Sequence, residues 1–156
     1  IASANINKIT FKLQVELYFC LVKKIKKRSD CPISSALDIL GDKWSLLIIR
    51  DMAMQGKNTY NEFLKSEEKI ATNILADRLS LLEWAEIITR EEHPESKAKI
   101  FYRLTSKGMD LLPVLIEMIL WSDKYLSIAP SAKEFAKLLR KDKETILKQL
   151  YKSLKK

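Results

Sequence analysis

The spacing of the apolar residues changes near residue 86, and this change limits the folds that the chain can adopt. Before it, apolar residues recur at the three- and four-residue intervals of amphipathic helices. After it, two β-rich runs at 87–90 and 100–104 flank a polar turn at 93–98, which predicts a hairpin. The 156 residues include only three glycines and four prolines, so we expect a mainly α protein with one small hairpin.

Four helical segments precede the hairpin. The first begins at Pro32, which suits a first helical turn, and ends at Gly41. Asp42 and Lys43 then form an exposed corner. The second segment is an amphipathic helix that ends at Gly56, and its apolar stripe consists of Trp44, Leu47, Ile48 and Met52. We interpret Trp44 as a core residue packed beneath the helix-turn-helix.

The third and fourth segments are separated by a short polar stretch. Thr59 and Glu62 form a capping box, which should start a short helix reaching about residue 65. The fourth helix is predicted over about 72–85. Its inner stripe consists of Ile74, Leu75, Arg78, Leu79 and Leu82.

Helical spacing returns after the hairpin. Thr105 should cap a long apolar helix over 109–126, Pro130 breaks the chain, and two further helical stretches follow at about 131–140 and 142–154. The long helix has more apolar residues than one buried stripe needs, which predicts that it pairs with a second copy of the chain, together with segments outside 31–126. The residues in excess are Leu111, Leu112, Leu115, Ile116, Ile119, Leu120 and Tyr125.

The order helix, helix, short helix, helix, hairpin, long helix is that of a winged helix-turn-helix. In this fold the short helix at 59 crosses the phosphate backbone and the helix near 72 enters the major groove. The predicted organisation is an N-terminal extension at 1–30, the winged domain at 31–127 and a C-terminal helical extension at 128–156. Residues 9–21 fit both a strand and a helical period, and we favour a helix; the basic run 23–28 is a linker or an exposed helix end.

Five motifs occur in a fixed order along the winged domain: CP at 31–32, GDKW at 41–44, IATNILADRL at 70–79, YRLTSKG at 102–108, and LPVL at 112–115 followed by Trp121. Together they resemble the HxlR-type winged-helix transcriptional regulators of the MarR-like superfamily. The resemblance covers roughly 31–126. It implies a dimeric, DNA-binding regulator of bacteria.

The chain departs from that family at two places. Thr59 and Tyr60 stand where the family often has Arg-Phe, so one cationic contact to the DNA backbone is missing, and Lys57 is the candidate to replace it. Ala85 stands where a glycine usually follows the recognition helix. This substitution predicts an ordinary helical end in place of a left-handed one.

Thr72 and Asn73 lie early in the recognition helix and are the predicted base contacts, since asparagine can pair with adenine through two hydrogen bonds. The alternative is that Asn73 only faces solvent. Lys69 is expected to hold a phosphate. Arg78 contacts DNA or braces the motif by pairing with Asp77 or another nearby acid.

The remaining candidate functional residues lie on the wing and at Cys31. Lys97 and Lys99 are predicted phosphate contacts on the hairpin. Cys31 precedes Pro32 at a helix start, where backbone N–H groups favour the thiolate, and the resemblance raises a role as a sensor of oxidants or electrophiles. The alternative is a small, buried, inert residue. Two cysteines make no disulfide framework, which fits a protein of the reducing cytoplasm.

The net charge and the residue types present limit which other functions the chain can have. The net charge of +8 divides into +5 over 1–30, −3 over 31–130 and +6 over 131–156, which suggests a polyanionic partner or solvated helix faces at the two ends. No phosphate loop, metal-spaced set or nucleophile beside a histidine is present, and His93, the only histidine, is interpreted as a solvated loop residue. We therefore expect no enzyme, no metal, no cofactor and no membrane span. The competing hypothesis is a winged-helix interaction module whose DNA face is inactive.

Overall fold

A computed structural model describes residues 28–93 and 96–155, with the side chains of residues 93 and 96–99 outside the description. The chain divides into two compact units, Ile1–Gly41 and Asp42–Lys156. The predictions for residues 9–21 and for 23–27 lie outside the described residues.

The described part of the first unit contains one helix, α1 (Pro32–Leu40). Pro32 occupies its first turn and Gly41 is its C-cap, as the sequence predicts. Ile33 and Leu37, one turn apart, are exposed to 70% and 49%.

The second unit contains α2 (Ser45–Gln55), α3 (Tyr60–Leu64), α4 (Thr72–Trp84), β1 (Ile88–His93), β2 (Ser96–Leu104), α5 (Ser106–Met109), α6 (Leu112–Tyr125) and α7 (Pro130–Leu154). This order confirms the predicted winged helix-turn-helix, a mainly helical fold with a hairpin wing. Helices and hairpin share one hydrophobic core. Its most deeply buried side chains are Ile49, Phe63, Leu75, Leu82, Ile88, Leu112, Ile116 and Leu139.

The hairpin is antiparallel and longer than the sequence predicts. Ile88 pairs with Leu104 and Glu92 with Ile100, and a bulge follows Glu92. β2 begins at Ser96, inside the polar turn predicted over 93–98, so that turn prediction was too long. The reason is that backbone pairing continues through polar residues, because the side chains of an exposed ribbon need not be apolar.

A third segment joins the wing through backbone pairing. Thr59 forms an isolated antiparallel bridge with Phe101, and the N–H of Tyr102 donates to the carbonyl oxygen of Asn58 over 2.8 Å. The start of α3 is thereby attached to the middle of β2. No apolar alternation marks this pairing in the sequence.

The predicted helix 109–126 is two helices. Thr105 caps the short α5, where its Oγ1 accepts from the N–H of Gly108 over 3.1 Å, and α6 starts only at Leu112. Pro113 explains the break, because proline has no N–H for the carbonyl four residues earlier and its ring clashes there. Gly108 is required where α5 meets the hairpin, since a Cβ would collide with the carbonyl oxygen of Ile87.

α6 and α7 form an antiparallel pair joined by Pro130, which lies in the first turn of α7. Arg140 and Asp123 form an ion pair at 2.5 Å, and α7 is interrupted at Asp142 (φ −155°, ψ 75°). Oδ1 of Asp142 accepts from the N–H of Thr145 over 3.0 Å and restarts the helix. The two predicted stretches are thus confirmed. None of the helices in the described ranges is long and apolar enough to cross a membrane.

The exposed apolar stripe of α6 shares only Tyr125 with the residues predicted. Leu112, Leu115 and Ile116 are buried within the subunit, and of the seven predicted residues only Tyr125 is exposed. The exposed stripe is instead Val114, Met118, Trp121 and Tyr125. Periodicity alone could not separate the two faces, because both are apolar.

The end of α4 corrects the prediction made from Ala85. Ala85 has ordinary backbone angles (φ −74°), but the next residue, Glu86, is left-handed (φ 57°). The N–H of Ile87 donates to the carbonyl of Leu82, and that of Glu86 to the carbonyl of Glu83, each over 2.9 Å. These two bonds form a Schellman motif. The helix therefore does end in a left-handed residue, which is Glu86 and not Ala85.

Replacing Glu86 by glycine should stabilise the fold. A residue with a side chain is strained by roughly 1–2 kcal/mol in the left-handed region, and glycine removes this strain. Part of the gain is offset, because glycine has more conformational freedom to lose on folding. We expect Glu86→Gly to raise the free energy of unfolding by about 0.5–1 kcal/mol in urea titrations. Gly56, the left-handed C-cap of α2 (φ 68°), provides the converse control: Gly56→Ala should lower stability by about 1 kcal/mol. Destabilisation by Glu86→Gly would contradict this account of the helix end.

Candidate nucleic-acid interface

α4 buries one face and presents the other to solvent. Leu75, Leu79 and Leu82 are buried at helical spacing, whereas Thr72 and Asn73 in the first turn are exposed. The N-cap, Ala71, has no side-chain oxygen, and no side chain in the described residues caps this end. The first backbone N–H groups of α4 therefore remain available beside two polar side chains. This is the geometry by which a recognition helix approaches base edges and phosphates.

α3 is tied to the first residue of α4. The hydroxyl of Tyr60 donates to the carbonyl oxygen of Thr72 over 2.7 Å. The predicted capping box of Thr59 and Glu62 is confirmed. Oε2 of Glu62 accepts from the N–H groups of Asn58 and Thr59, both over 2.9 Å, and the Asn58 bond is the main cause that lowers the pKa of Glu62. Tyr60 and Thr59, both predicted DNA contacts, thus also set the position of the two helices.

Asp42 caps α2 and also holds α4. Its Oδ1 accepts from the N–H groups of Trp44 (2.7 Å) and Ser45 (3.0 Å), and its Oδ2 lies 3.2 Å from NH1 of Arg78. Burial opposes ionisation of Asp42, but these bonds, the hydroxyl of Ser45 and the charge of Arg78 outweigh it and lower its pKa. Arg78 therefore braces the motif, and the nearby acid is Asp42 in place of Asp77.

Two predictions for this corner were wrong. Asp42 is half-buried where an exposed corner was expected, because its carboxylate turns inward to the helix start. Trp44 is half-buried where full burial was expected, and the ammonium of Lys43 lies 4.9 Å from the centre of its ring. Ser45, fully buried, takes the inward position that the apolar pattern assigned to the tryptophan.

A cluster of polar side chains closes the turn between α2 and α4. Asp51 is only 2% exposed, and Lys57 Nζ donates to its Oδ2 (2.9 Å) and to Ser66 Oγ (2.8 Å). The hydroxyl of Ser66 donates to the same carboxylate oxygen. Arg50 bonds to Oδ1 of Asp51 through Nε and NH2, and to both carboxylate oxygens of Glu68 at 2.5 and 3.0 Å. We call Arg50, Asp51, Lys57, Ser66 and Glu68 the turn cluster.

The turn cluster changes the interpretation of Lys57. This residue was predicted to replace a missing phosphate contact, but its ammonium has two partners within the protein. A buried carboxylate needs such partners, because an unpaired buried charge is strongly destabilising. We therefore assign Lys57 to bracing of the turn.

The remaining predicted cations lie around α4. Lys69 is exposed, has a left-handed backbone (φ 52°) and stands three residues before α4. Lys97 and Lys99 lie on β2, with side chains outside the description. Arg90 on β1 is exposed, and Arg103 on β2 pairs with Glu91 at 3.1 Å.

The sequence pattern did not indicate Asp42 as a cap, nor Asp51, Ser66 and Glu68 as a cluster. One signal was available for Asp51: it lies three residues after Ile48, on the inward side of an apolar helix. A charged residue at such a position implies a buried partner. No local pattern pointed to Ser66 or Glu68, which approach Asp51 and Arg50 only through the fold.

The described residues contain no group of three or more His, Cys, Asp or Glu side chains placed to hold a metal. A braced helix-turn-helix with an exposed recognition helix and a hairpin wing defines a winged-helix DNA-binding protein. Residues 39–130 match the family model for the HxlR-like helix-turn-helix, over more than half of the chain. The chain belongs to the HxlR-like family, which confirms the resemblance seen in the sequence.

Known proteins agree with this assignment. The HTH-type transcriptional regulator YodB of Bacillus subtilis is 38% identical over 96 residues, covering 61% of this chain and 85% of YodB. YdeP, another HTH-type regulator of that organism, is 37% identical over 95 residues, 61% of this chain and 73% of YdeP.

Solved structures extend the likeness to the fold. Reduced YodB superposes with a TM-score of 0.52 at 36% identity, over 62% of this chain and 95% of that one. The redox regulator HypR in its oxidised form gives a TM-score of 0.56 at 30% identity, over 63% of this chain and 100% of the HypR chain. This chain is therefore a transcriptional regulator of the HxlR type.

The Arg50–Glu68 pair predicts a pH dependence of stability. The hydrogen bonds from Arg50 lower the pKa of Glu68 from 4.5 to about 2. Because the folded state then binds fewer protons than the unfolded state between these values, this contribution is complete above about pH 4.5 and is lost as the pH falls towards 2. Glu68→Gln should therefore reduce the loss of stability between pH 4.5 and 2.5 in urea titrations. Glu67→Gln, a change at the exposed neighbour, should leave the wild-type slope; equal slopes for wild type and Glu68→Gln would refute the assignment.

Proposed function

We propose that this regulator binds a pseudo-palindromic operator in duplex DNA as a homodimer, with Thr72 and Asn73 of α4 in contact with base edges of the major groove. The observation that carries the proposal is the exposed first turn of α4, braced by Tyr60 from α3 and by Arg78 towards the start of α2. A side chain can discriminate between bases only if its backbone is held in place, and both braces act on this helix.

Phosphate contacts come from few residues, since the central region has a net charge of −3. Lys69 is exposed directly before α4, and Lys97 and Lys99 belong to the wing. Thr59 and Tyr60 begin the short helix that crosses the DNA backbone. These residues position the protein on the duplex without selecting its sequence.

The homodimer is supported by the exposed stripe of α6. Val114, Met118, Trp121 and Tyr125 are 46–59% exposed and follow each other at intervals of four, three and four residues. The rings of Trp121 and Tyr125 are 5.5 Å apart and form a continuous apolar surface. Such spacing is that of a seam between helices, and a two-fold axis would bury the same stripe on both subunits.

Asn73→Ala should weaken binding to the preferred operator by about 1–3 kcal/mol and relax the preference for one base in each half-site. Half-site centres should lie roughly 34–36 Å apart, about 10 base pairs. Fluorescence titration with duplexes of varied spacing measures both. Lys69→Ala is the matched variant at the same end of α4: it should weaken all sequences alike and reduce the salt slope by about one.

The opposite pattern would favour the interaction module without specific DNA binding. In that case, removing residues 131–156, which carry a net charge of +6, lowers the affinity for DNA. Asn73→Ala leaves the same affinity unchanged.

Light scattering at micromolar concentration should give a mass of about twice 18.1 kDa. Met118→Glu should convert the protein to a monomer with unchanged circular dichroism, because Met118 is 49% exposed in the single subunit and a carboxylate would be buried unpaired in the dimer. Ser127→Glu adds the same charge beyond the end of α6 and should leave the dimer intact. A wild-type monomer would refute this arrangement.

Cys31 is the candidate for regulation by oxidants or electrophiles. It is the exposed N-cap of α1, so its thiol is accessible beside a helix start. The similarity to the redox regulator HypR supports this role, which would act on DNA binding.

Diamide or peroxide should change the affinity of the wild type for its operator, and Cys31→Ser should abolish this response. Cys20→Ser is the control for the other cysteine of the chain and should respond like the wild type. If Cys31→Ser keeps the full response in the same titration, Cys31 is not the sensor.

A further inference from the structure

The outward face of α4 continues beyond Asn73. Asn73, Asp77, Ser80 and Trp84 follow at intervals of four, three and four residues, opposite the buried stripe of Leu75, Leu79 and Leu82. Asn73 and Asp77 are exposed, and Trp84 is exposed to 39%. Asp77 is therefore one helical turn further along the surface that we propose enters the major groove.

The carboxylate of Asp77 is exposed on that surface. Arg78, its neighbour in the chain, turns to Asp42. Within the described ranges, no hydrogen bond or ion pair involves the Asp77 side chain. A free carboxylate between two phosphate backbones is repelled, unless the groove presents a hydrogen-bond donor to it. A carboxylate on a helix in the major groove therefore opposes binding to sequences without such a donor and tolerates those that have one at the right place.

Base chemistry limits what that donor can be. In the major groove guanine presents N7 and O6 and thymine presents O4, all of which are acceptors. Only the N4 amino group of cytosine and the N6 amino group of adenine donate. In the A·T pair the amino group is flanked by an acceptor on both sides, N7 of adenine and O4 of thymine, and both repel a carboxylate. In the C·G pair only O6 of guanine flanks the cytosine amino group, and its other neighbour is the C5–H edge.

Resting on the proposed DNA binding, we infer that Asp77 selects a cytosine in each half-site by accepting a hydrogen bond from its N4 amino group. Four residues of helix advance by about 6 Å, against about 3.4 Å between successive bases. The cytosine thus lies one or two base pairs from the base that Asn73 contacts. The two residues together define a short element of the operator.

The test begins with a duplex selected by the wild type from a random pool. Replacing the predicted cytosine by thymine or guanine should weaken wild-type binding about tenfold. N4-methylcytosine at the same position, which places a methyl group where the donor pointed, should weaken it to a similar degree. This probe uses the unaltered protein, so it does not depend on the folding of a variant.

Asp77→Ala should bind the cytosine, thymine and guanine duplexes within about twofold of one another and should bind unrelated duplex DNA several-fold more tightly than the wild type. Asp110→Ala removes the same charge from the junction of α5 and α6 and should keep the wild-type base profile. A wild type that selects an operator but is indifferent to N4-methylcytosine, or an Asp77→Ala variant with the wild-type profile, overturns this inference and leaves the proposed function standing. A wild type without any sequence preference overturns the proposed function, and this inference with it.

Discussion

The buried carboxylate of Asp51 is the constraint on which the helix-turn-helix depends. At 2% exposure it would be strongly destabilising alone, and leaving such a charge without its partners costs about 3–5 kcal/mol. Its partners come from α2, from the loop after α2 and from the loop after α3, in Arg50, Lys57 and Ser66. Satisfying one carboxylate therefore fixes the path of the chain from α2 to the loop after α3.

This arrangement commits cations to the interior of the motif. Arg50, Lys57 and Arg78 all bond to acids of the same unit, through Asp51, Glu68 and Asp42. Residues 31–130 carry a net charge of −3, so each cation that is paired within the motif lowers the number available to DNA. We infer that affinity for DNA rests on a small number of phosphate contacts, and that discrimination rests on the polar side chains of a rigidly held helix.

Much of the fold could be predicted because its signals are local. The capping box at Thr59, the stop at Gly56 and the restart at Asp142 depend on residues a few positions apart, which the sequence displays directly. The break before Pro113 was missed although its cause is also local. The partner of Arg78 could not be assigned, since Asp77 and Asp42 are equally good acids in a sequence and only the fold brings Asp42 within 3.2 Å.

The sequence by itself determined the order of the elements, the winged-helix class and the HxlR family, because periodicity, caps and motif order are properties of neighbouring residues. Only the tertiary structure decided which polar groups meet across long separations. It placed Lys57 inward against Asp51, exposed Met118 and Trp121 while burying Leu115, and left Asp77 facing outward. The physical reason is that burial and ion pairing depend on distances in space, which residues up to 36 positions apart acquire only when the chain has folded.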